Sequence, residues 1–256
     1  IKNKIIKGVG EPAERFREDA LRMLRAIRFS AQLGFDIEEN TLKAVSDNAP
    51  LIEKISAERI KEELSKLITS PHTEKSTLLW ETELLKYIDK NLFETAPAPS
   101  LLKNIPKEIA WAVFLTPLGE KGAENFMKHL KFDTKTLRLS SYLIGRKSAP
   151  FSDVLDVKKE ISQTSFEEFG HLCAYKKAFG LGELEFMQKT LEEILEKKPP
   201  IFLKDLALGG TDLINLGFSG KEVGKTLAAL LDFVHRFPEK NTKNFLLEKA
   251  SSFRTL

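Results

Sequence analysis

Residues 14–35 read ERFREDALRMLRAIRFSAQLGF. The apolar residues of this stretch recur at spacings of three and four, which predicts one amphipathic helix over residues 14–33. With about 100° of rotation per residue, the buried face of that helix should hold Phe16, Ala20, Met23, Leu24, Ile27 and Ala31. The opposite face should carry three arginines at an even step of three, directly after the acidic pair Glu18 and Asp19. We call these three the arginine row: Arg22, Arg25 and Arg28.

The arginine row has two interpretations. In the first, it is a solvated basic face with a few ion pairs along the helix, as on many surface helices. In the second, it binds an anion. Like charges three residues apart repel one another by a few tenths of a kcal/mol, and an anionic ligand would remove that repulsion.

Asp19 and Arg22 suit one particular kind of anionic ligand. Cytosine and adenine both present an amine donor beside a ring-nitrogen acceptor, whereas uracil and guanine present a carbonyl beside an N–H group. A carboxylate accepts from the amine, and a guanidinium donates to the ring nitrogen. An Asp and an Arg one helical turn apart could therefore select cytosine and adenine, because the other two bases would leave charged groups unpaired. Arg25 and Arg28 could contact phosphates.

The rest of the chain also has mainly helical patterns. Residues 56–71, SAERIKEELSKLITSP, have Ser56 as a candidate N-cap and Pro71 as a stop signal. Residues 220–237 form a clear amphipathic helical pattern. In residues 1–9, apolar and polar residues alternate weakly, which suggests one edge strand. The sequence thus predicts an all-α, elongated multi-helix array with one residual strand at the amino end.

Composition limits the class of protein. Of 256 residues, 42% are hydrophobic and 30% charged, which is typical of a packed globular chain. No apolar run approaches the ~18 residues of a membrane span, and the single Cys173 fits a reducing compartment, so we expect a cytoplasmic protein without a membrane partner. Residues 1–35 hold eight basic and four acidic residues, a net +4. Since the whole chain carries +3, the other 221 residues sum to −1.

Other chemistry finds little support in the sequence. The histidines lie far apart and form no metal-binding spacing, so we predict no metal site in this chain: His72, His129, His171 and His235. Cys173 lies two residues from His171, a spacing that does not face on a helix, which argues against a thiol nucleophile. Trp80 and Trp111 occupy apolar helical positions and are predicted to lie in the core.

Three stretches resemble one known family. ERFREDALRMLRAIRFSAQLGFDIEENTL, residues 14–42, closely resembles the neck of the bacterial class II tRNA nucleotidyltransferases, the CCA-adding enzymes. Their E-D-x-x-R motif corresponds to residues 18–22. Residues 56–71 resemble their next neck motif, and residues 202–248 resemble their carboxyl-terminal region. Between about 73 and 198 the resemblance is only compositional.

The resemblance implies roles for particular residues. Asp19 and Arg22 would recognise the Watson–Crick edge of incoming CTP or ATP, and Arg25 and Arg28 would complete the nucleotide-binding set. The supporting residues would brace this site without contacting substrate: Glu18, Glu58 and Arg59. The body and tail would hold tRNA, with candidate contacts at Lys204, Lys221, Lys225, Lys240 and Lys243.

One departure from the family affects the expected mechanism. The polymerase head of these enzymes carries a Gly-Ser-type phosphate loop and a D-x-D pair that holds Mg²⁺, and neither motif occurs here. The chain also begins at Ile1. We therefore expect residues 1–10 to be the end of a missing head, 11–72 the neck, 73–165 the helical body and 166–256 the tail. Such a chain should contain no catalytic residue and be inactive alone.

Two other hypotheses remain open at this point. The chain could be a fragment of a bacterial poly(A) polymerase, which shares the neck but would bind RNA ends less selectively. It could also be a non-catalytic helical RNA-binding module whose arginine row only contacts phosphate. The sequence leaves open whether a parent enzyme adds CCA, CC or A, and in what oligomeric state.

Overall fold

The fold is known from a computed structural model that describes residues 4–96 and 98–254. Residues 1–3 of the predicted amino-terminal strand lie outside the described residues. The chain is predominantly helical, as the sequence predicts. Its α-helices are α1 Pro12–Glu18, α2 Leu21–Leu33, α3 Glu39–Asn48, α4 Ala57–Ile68, α5 Leu78–Glu81, α6 Lys90–Phe93, α7 Ala110–Leu115, α8 Gly119–His129, α9 Thr134–Gly145, α10 Val154–Gln163, α11 Phe166–Ala178, α12 Leu184–Lys197, α13 Gly210–Asn215, α14 Lys221–Arg236 and α15 Lys243–Arg254.

Short 3₁₀ helices join several of these elements. The 3₁₀ helices are Ala49–Lys54, Thr73–Thr77, Leu84–Tyr87, Pro99–Leu102, Lys107–Ile109, Thr116–Leu118, Leu203–Asp205 and Pro238–Lys240. Two strands, β1 Ile5–Ile6 and β2 Asp36–Ile37, pair in parallel, with Ile5 opposite Asp36. The strand predicted near the amino end is therefore present within residues 4–9. Its partner β2 was not predicted, because two residues are too few for an alternating pattern.

The chain divides into two compact units. The first contains the described residues within Ile1–Ala149 and Ala174–Gly180, and the second those within Pro150–Cys173 and Leu181–Leu256. The predicted division into segments 1–10, 11–72, 73–165 and 166–256 is finer than this and stays a prediction. None of the described helices is long and apolar enough to cross a membrane.

The prediction of one helix over residues 14–33 is wrong at one point. Helix α1 ends at Glu18, and Asp19 has an extended backbone (φ −150°, ψ 101°) before α2 begins at Leu21. Asp side chains compete with helical hydrogen bonding, so Asp favours positions just before a helix over positions inside it. Here Asp19 Oδ1 accepts the Leu21 N–H at 3.1 Å. The apolar face continues across the break, and all six residues predicted for it are buried.

Helix α2 ends where its backbone turns sharply. Gly34 has φ 66°, and its N–H donates to the Ser30 carbonyl at 2.9 Å. A Cβ at Gly34 would lie 2.6 Å from His72 Nε2, so both the left-handed backbone and the close contact favour glycine here. This turn sends the chain back to β2, beside β1.

Helix α4 packs on α2 in the first unit. Its apolar stripe of Ile60, Leu64, Leu67 and Ile68 is buried, as the helical spacing predicts. Ser56 occupies the predicted N-cap position, but the structure shows no side-chain capping bond from it. Trp111 is buried, as predicted, and its Nε1 donates to Ser65 Oγ at 3.1 Å, whereas Trp80 is only half-buried.

The second unit has its own core. Helix α14 packs on α10, α13 and α15. The buried apolar residues of this core are Leu206, Leu208, Leu213, Phe218, Leu230, Leu231, Val234, Leu246 and Ala250. Two polar side chains lie beside it: Lys158 Nζ donates to the His235 carbonyl at 2.6 Å, and His235 Nε2 lies 2.9 Å from the Ile201 carbonyl. Burial lowers the pKa of both side chains, because apolar surroundings disfavour a charged group.

Candidate nucleotide-binding site

The Asp19 carboxylate is fixed by two donors. Oδ1 accepts the Leu21 N–H at 3.1 Å, and Oδ2 accepts Arg59 Nη2 of α4 at 2.9 Å. Burial raises the pKa of Asp19, but the hydrogen bonds from Arg59 and Leu21 outweigh it and hold that pKa below its ordinary value. Asp19 is therefore an ionised acceptor at neutral pH, with its plane set by groups from two helices.

Arg22 is held by α1 through one of its nitrogens. Arg22 Nη1 donates to Glu18 Oε2 at 2.6 Å and to the Arg15 carbonyl at 3.1 Å. The hydrogen bonds from Arg22 and, second, from Arg15 lower the pKa of Glu18 below its ordinary value. Among the described residues, none accepts a hydrogen bond from Nη2 or Nε of Arg22, which leaves those donors available to a ligand.

Glu63 of α4 joins the other two arginines of the row. Its side chain is only 5% exposed, and Oε1 lies 3.2 Å from Arg25 Nε. Oε2 lies 2.6 Å from Arg28 Nε, a close ion pair in which the N–H direction does not meet hydrogen-bond geometry. One carboxylate thus partly neutralises two guanidiniums.

Arg25 and Arg28 differ in accessibility. The Arg25 side chain is 45% exposed, whereas that of Arg28 is 13% exposed. Arg28 Nη1 also donates to Gln32 Oε1 at 2.8 Å, and its guanidinium lies 4.0 Å from the centre of the Phe29 ring. Arg25 is therefore better placed than Arg28 to bind a phosphate.

A cleft of about 380 Å³ in the first unit borders part of the arginine row. Lys7 and three arginines, Arg15, Arg22 and Arg25, provide positive charge. Apolar residues form much of the remaining wall, among them Val9, Pro12, Phe16, Ala26 and Phe29. Asp19 and Arg28 are not among its lining residues. The structure therefore brings two of the four predicted nucleotide-binding residues to this cleft and adds Arg15, which the sequence analysis did not single out.

The three predicted supporting residues have different environments. Glu18 contacts Arg22, and Arg59 contacts Asp19, so both hold the pair predicted to recognise a base. Glu58 instead pairs with Lys131 Nζ at 2.7 Å, with both side chains at least half exposed. Glu63 was missed, although a sequence signal existed: it is an acidic residue on the buried stripe of α4, between Ile60 and Leu64, where an acidic side chain needs a partner.

The five lysines predicted to bind tRNA all lie in the second unit. Lys221 and Lys225 are exposed on α14, and Lys243 pairs with Asp212 at 2.7 Å. Lys204 Nζ lies 5.5 Å from the centre of the Phe202 ring. Lys240 Nζ lies within 6 Å of three rings, at 5.8, 4.9 and 5.4 Å from the centres of Phe233, Phe237 and Phe245.

Comparison with known sequences gives a consistent result. Residues 34–94 match a family described as the probable RNA and SrmB-binding site of polymerase A. A CCA-adding enzyme of Limosilactobacillus fermentum is 31% identical over 98% of this chain and 64% of its own length. A CCA-adding enzyme of Lactiplantibacillus plantarum is 32% identical over 96% of this chain and 62% of its own length. The chain thus spans somewhat less than two thirds of these curated relatives.

Comparison with solved structures gives the same family. The Bacillus stearothermophilus CCA-adding enzyme in complex with CTP aligns with a TM-score of 0.79 and 28% identity, covering 99% of this chain and 67% of that protein. The Thermotoga maritima CCA-adding enzyme complexed with tRNA shares the fold, with a TM-score of 0.61 and 19% identity over 98% of this chain and 64% of that protein. By sequence and by fold, the chain is therefore similar to the CCA-adding enzymes over somewhat less than two thirds of the length of the curated relatives.

Proposed function

We propose that this chain is the nucleotide-selecting and tRNA-binding part of an enzyme that adds CCA to tRNA 3′ ends from CTP and ATP. The observation that carries the proposal is the anchored pair Asp19 and Arg22. An ionised acceptor and a guanidinium with unused donors lie three residues apart, each held by its own partners. Relatives named as CCA-adding enzymes, one of them solved with CTP, support the assignment.

In the proposed mechanism, these residues recognise the base without a nucleic-acid template. Asp19 accepts the exocyclic amine of cytosine or adenine, and Arg22 donates to the adjacent ring nitrogen. Uracil and guanine place a carbonyl opposite the carboxylate, so they are rejected because charged groups would lose their partners. Arg25 contributes positive charge beside the cleft, and Arg28 supports it through their shared Glu63.

The part of the chain that the structure describes offers no cluster of candidate metal ligands. Those residues contain no group of three or more His, Cys, Asp or Glu side chains able to hold a metal ion. A catalytic head of the parent enzyme would hold the metal and perform the phosphoryl transfer, and that enzyme would act in the cytoplasm.

The lysines of the second unit complete the proposal. Lys204, Lys221, Lys225 and Lys243 are exposed cations that suit the phosphates of a folded RNA. Contacts to phosphate fix the position of an RNA without reporting its sequence. Binding of tRNA should therefore weaken steeply with salt, because released counterions drive it.

A second candidate function is poly(A) polymerisation, since the family that matches residues 34–94 is described by its polymerase A members. The two functions predict different products. A parent enzyme given tRNA without its 3′ end should incorporate labelled C and then A with Mg²⁺, and it should prefer tRNA to unstructured RNA. The 256-residue chain alone should bind tRNA but incorporate nothing. Incorporation of A only, on any RNA end, would favour the polymerase; incorporation by the chain alone would contradict the proposed division of labour.

A further inference from the structure

Arg15 shares a carboxylate with Arg22. Its Nη1 donates to both oxygens of Glu18, at 2.9 Å to Oε1 and 3.2 Å to Oε2. Oε2 also accepts Arg22 Nη1 at 2.6 Å. One carboxylate therefore lies between two guanidiniums, one from α1 and one from α2, across the break in the chain at Asp19.

Arg15 makes two further contacts that extend this network. Its Nε donates to the Val9 carbonyl at 3.3 Å, in the segment before α1. Its own carbonyl accepts Arg22 Nη1 at 3.1 Å. Arg15 thus contacts Arg22 directly through its backbone and indirectly through Glu18, while its side chain is tied to the preceding segment. Both arginines line the same cleft.

The second contact on Glu18 is important for the orientation of Arg22, because both side chains are exposed. The side chains of Glu18 and Arg22 are 48% and 41% exposed, and an ion pair of that kind, taken alone, holds its geometry weakly. A second donor on Glu18 restricts the carboxylate and, through it, the plane of the Arg22 guanidinium. Recognition of a base by hydrogen bonds depends on that plane, since misaligned N–H groups bond poorly.

We propose that Arg15 is a positioning residue for base selection: it holds Glu18 so that Arg22 presents its free donors to the base at a fixed angle to Asp19. The inference rests on the proposed function and deepens it. Arg15 belongs to neither the E-D-x-x-R motif nor the arginine row. Its effect on the reaction passes through Arg22, and its own guanidinium needs no contact with the base.

The test uses the parent enzyme, with kcat and KM measured for CTP, ATP, UTP and GTP. Arg15→Gln should reduce the preference for CTP and ATP over UTP and GTP by about tenfold, the factor that corresponds to ~1.4 kcal/mol. Arg15→Lys should show the same loss, because an ammonium has no second nitrogen to donate to the Val9 carbonyl while it pairs with Glu18. Arg17→Gln is the matched control, an exposed arginine on the same helix for which the described residues provide no ion pair, and it should retain full selectivity.

Three results would overturn the inference. An equal rise of KM for all four nucleotides in Arg15→Gln, restored by Arg15→Lys, would make Arg15 a simple positive charge for phosphates. Unchanged selectivity in a folded Arg15→Gln enzyme would make the network irrelevant to the base. A uniform loss of kcat together with a lower melting temperature would make it structural. The wild-type enzyme tests the proposed function separately from the role of Arg15. If the wild-type enzyme does not select CTP and ATP over UTP and GTP, the proposed function fails, whatever the Arg15 variants show.

Discussion

Two pairs of cations, one pair in each unit, are held in opposite ways. In the first unit, Arg22 and Arg25 are each anchored through one nitrogen to a carboxylate, Glu18 or the buried Glu63. In the second unit, Lys221 and Lys225 are exposed on α14, and the described residues provide them with no ion pair. An anchored guanidinium offers donors in a fixed direction, whereas an ammonium without an ion pair acts as a point charge. The first arrangement suits recognition of a base edge and the second suits the phosphates of an RNA of any sequence.

The largest expected effect comes from the anchor of the first unit. Glu63→Gln should destabilise this unit by about 3 kcal/mol, because loss of one partner leaves the largely buried Arg28 without its counter-charge. Partial exposure of Arg25 places the effect at the low end of the range for buried pairs. Both tryptophans of the chain, Trp80 and Trp111, lie in the first unit, so tryptophan fluorescence during urea unfolding reports on it.

The neighbouring residue provides a matched control. Glu62 pairs with Lys66 one turn along α4, but the Glu62 side chain is 64% exposed. Glu62→Gln should change stability by no more than about 0.5 kcal/mol, as for other exposed pairs at this spacing. Equal, small effects of the two variants would show that Glu63 does not anchor Arg25 and Arg28 and would weaken the contrast between the units.

A smaller effect should separate two lysines of the second unit. Lys225→Gln should lower the slope of log K against log salt for tRNA binding by about one, as loss of one phosphate contact does, without changing stability. Lys240→Gln should change that slope less and should destabilise the second unit by ~0.5–1 kcal/mol, because its ammonium lies among three aromatic rings. The slope is measured by filter binding in increasing KCl and the stability by hydrogen exchange of α14 and α15. If both lysines lower the slope equally at unchanged stability, the rings do not engage Lys240.

Much of the fold follows from periodicity alone. The buried face of α1 and α2, the stripe of α4 and the amphipathic α14 were all predicted, because each pattern repeats over several turns. The break at Asp19 was not, since the apolar pattern continues across it and only the competition of one side chain with the helix interrupts the backbone. Strand β2 was missed because it has two residues and pairs with a distant segment.

The residue types of the candidate site were predictable from the sequence, but the hydrogen bonds and ion pairs that hold them were not. The motif of residues 18–22 and the arginine row identify the side chains predicted to bind a nucleotide. Two of their partners come from a distant helix: Arg59 is 40 residues from Asp19, and Glu63 is 38 residues from Arg25. Nothing in a single sequence specifies such pairings, which depend on how α4 packs on α2. The rings around Lys240 escaped prediction for a related reason, since they come from α14, from α15 and from the turn between them.

One measurement tests the central claim, that Asp19 and Arg22 recognise the base while Arg25 serves the phosphates. It is kcat/KM of the parent enzyme for each of the four nucleotides, compared between Asp19→Ala and Arg25→Ala. Asp19→Ala should lose discrimination against UTP and GTP worth ~1–3 kcal/mol, because it removes a base contact and leaves the phosphate contacts in place. Arg25→Ala should weaken all four nucleotides alike. The same uniform loss in both variants would contradict the claim and reduce this surface to a simple anion-binding face.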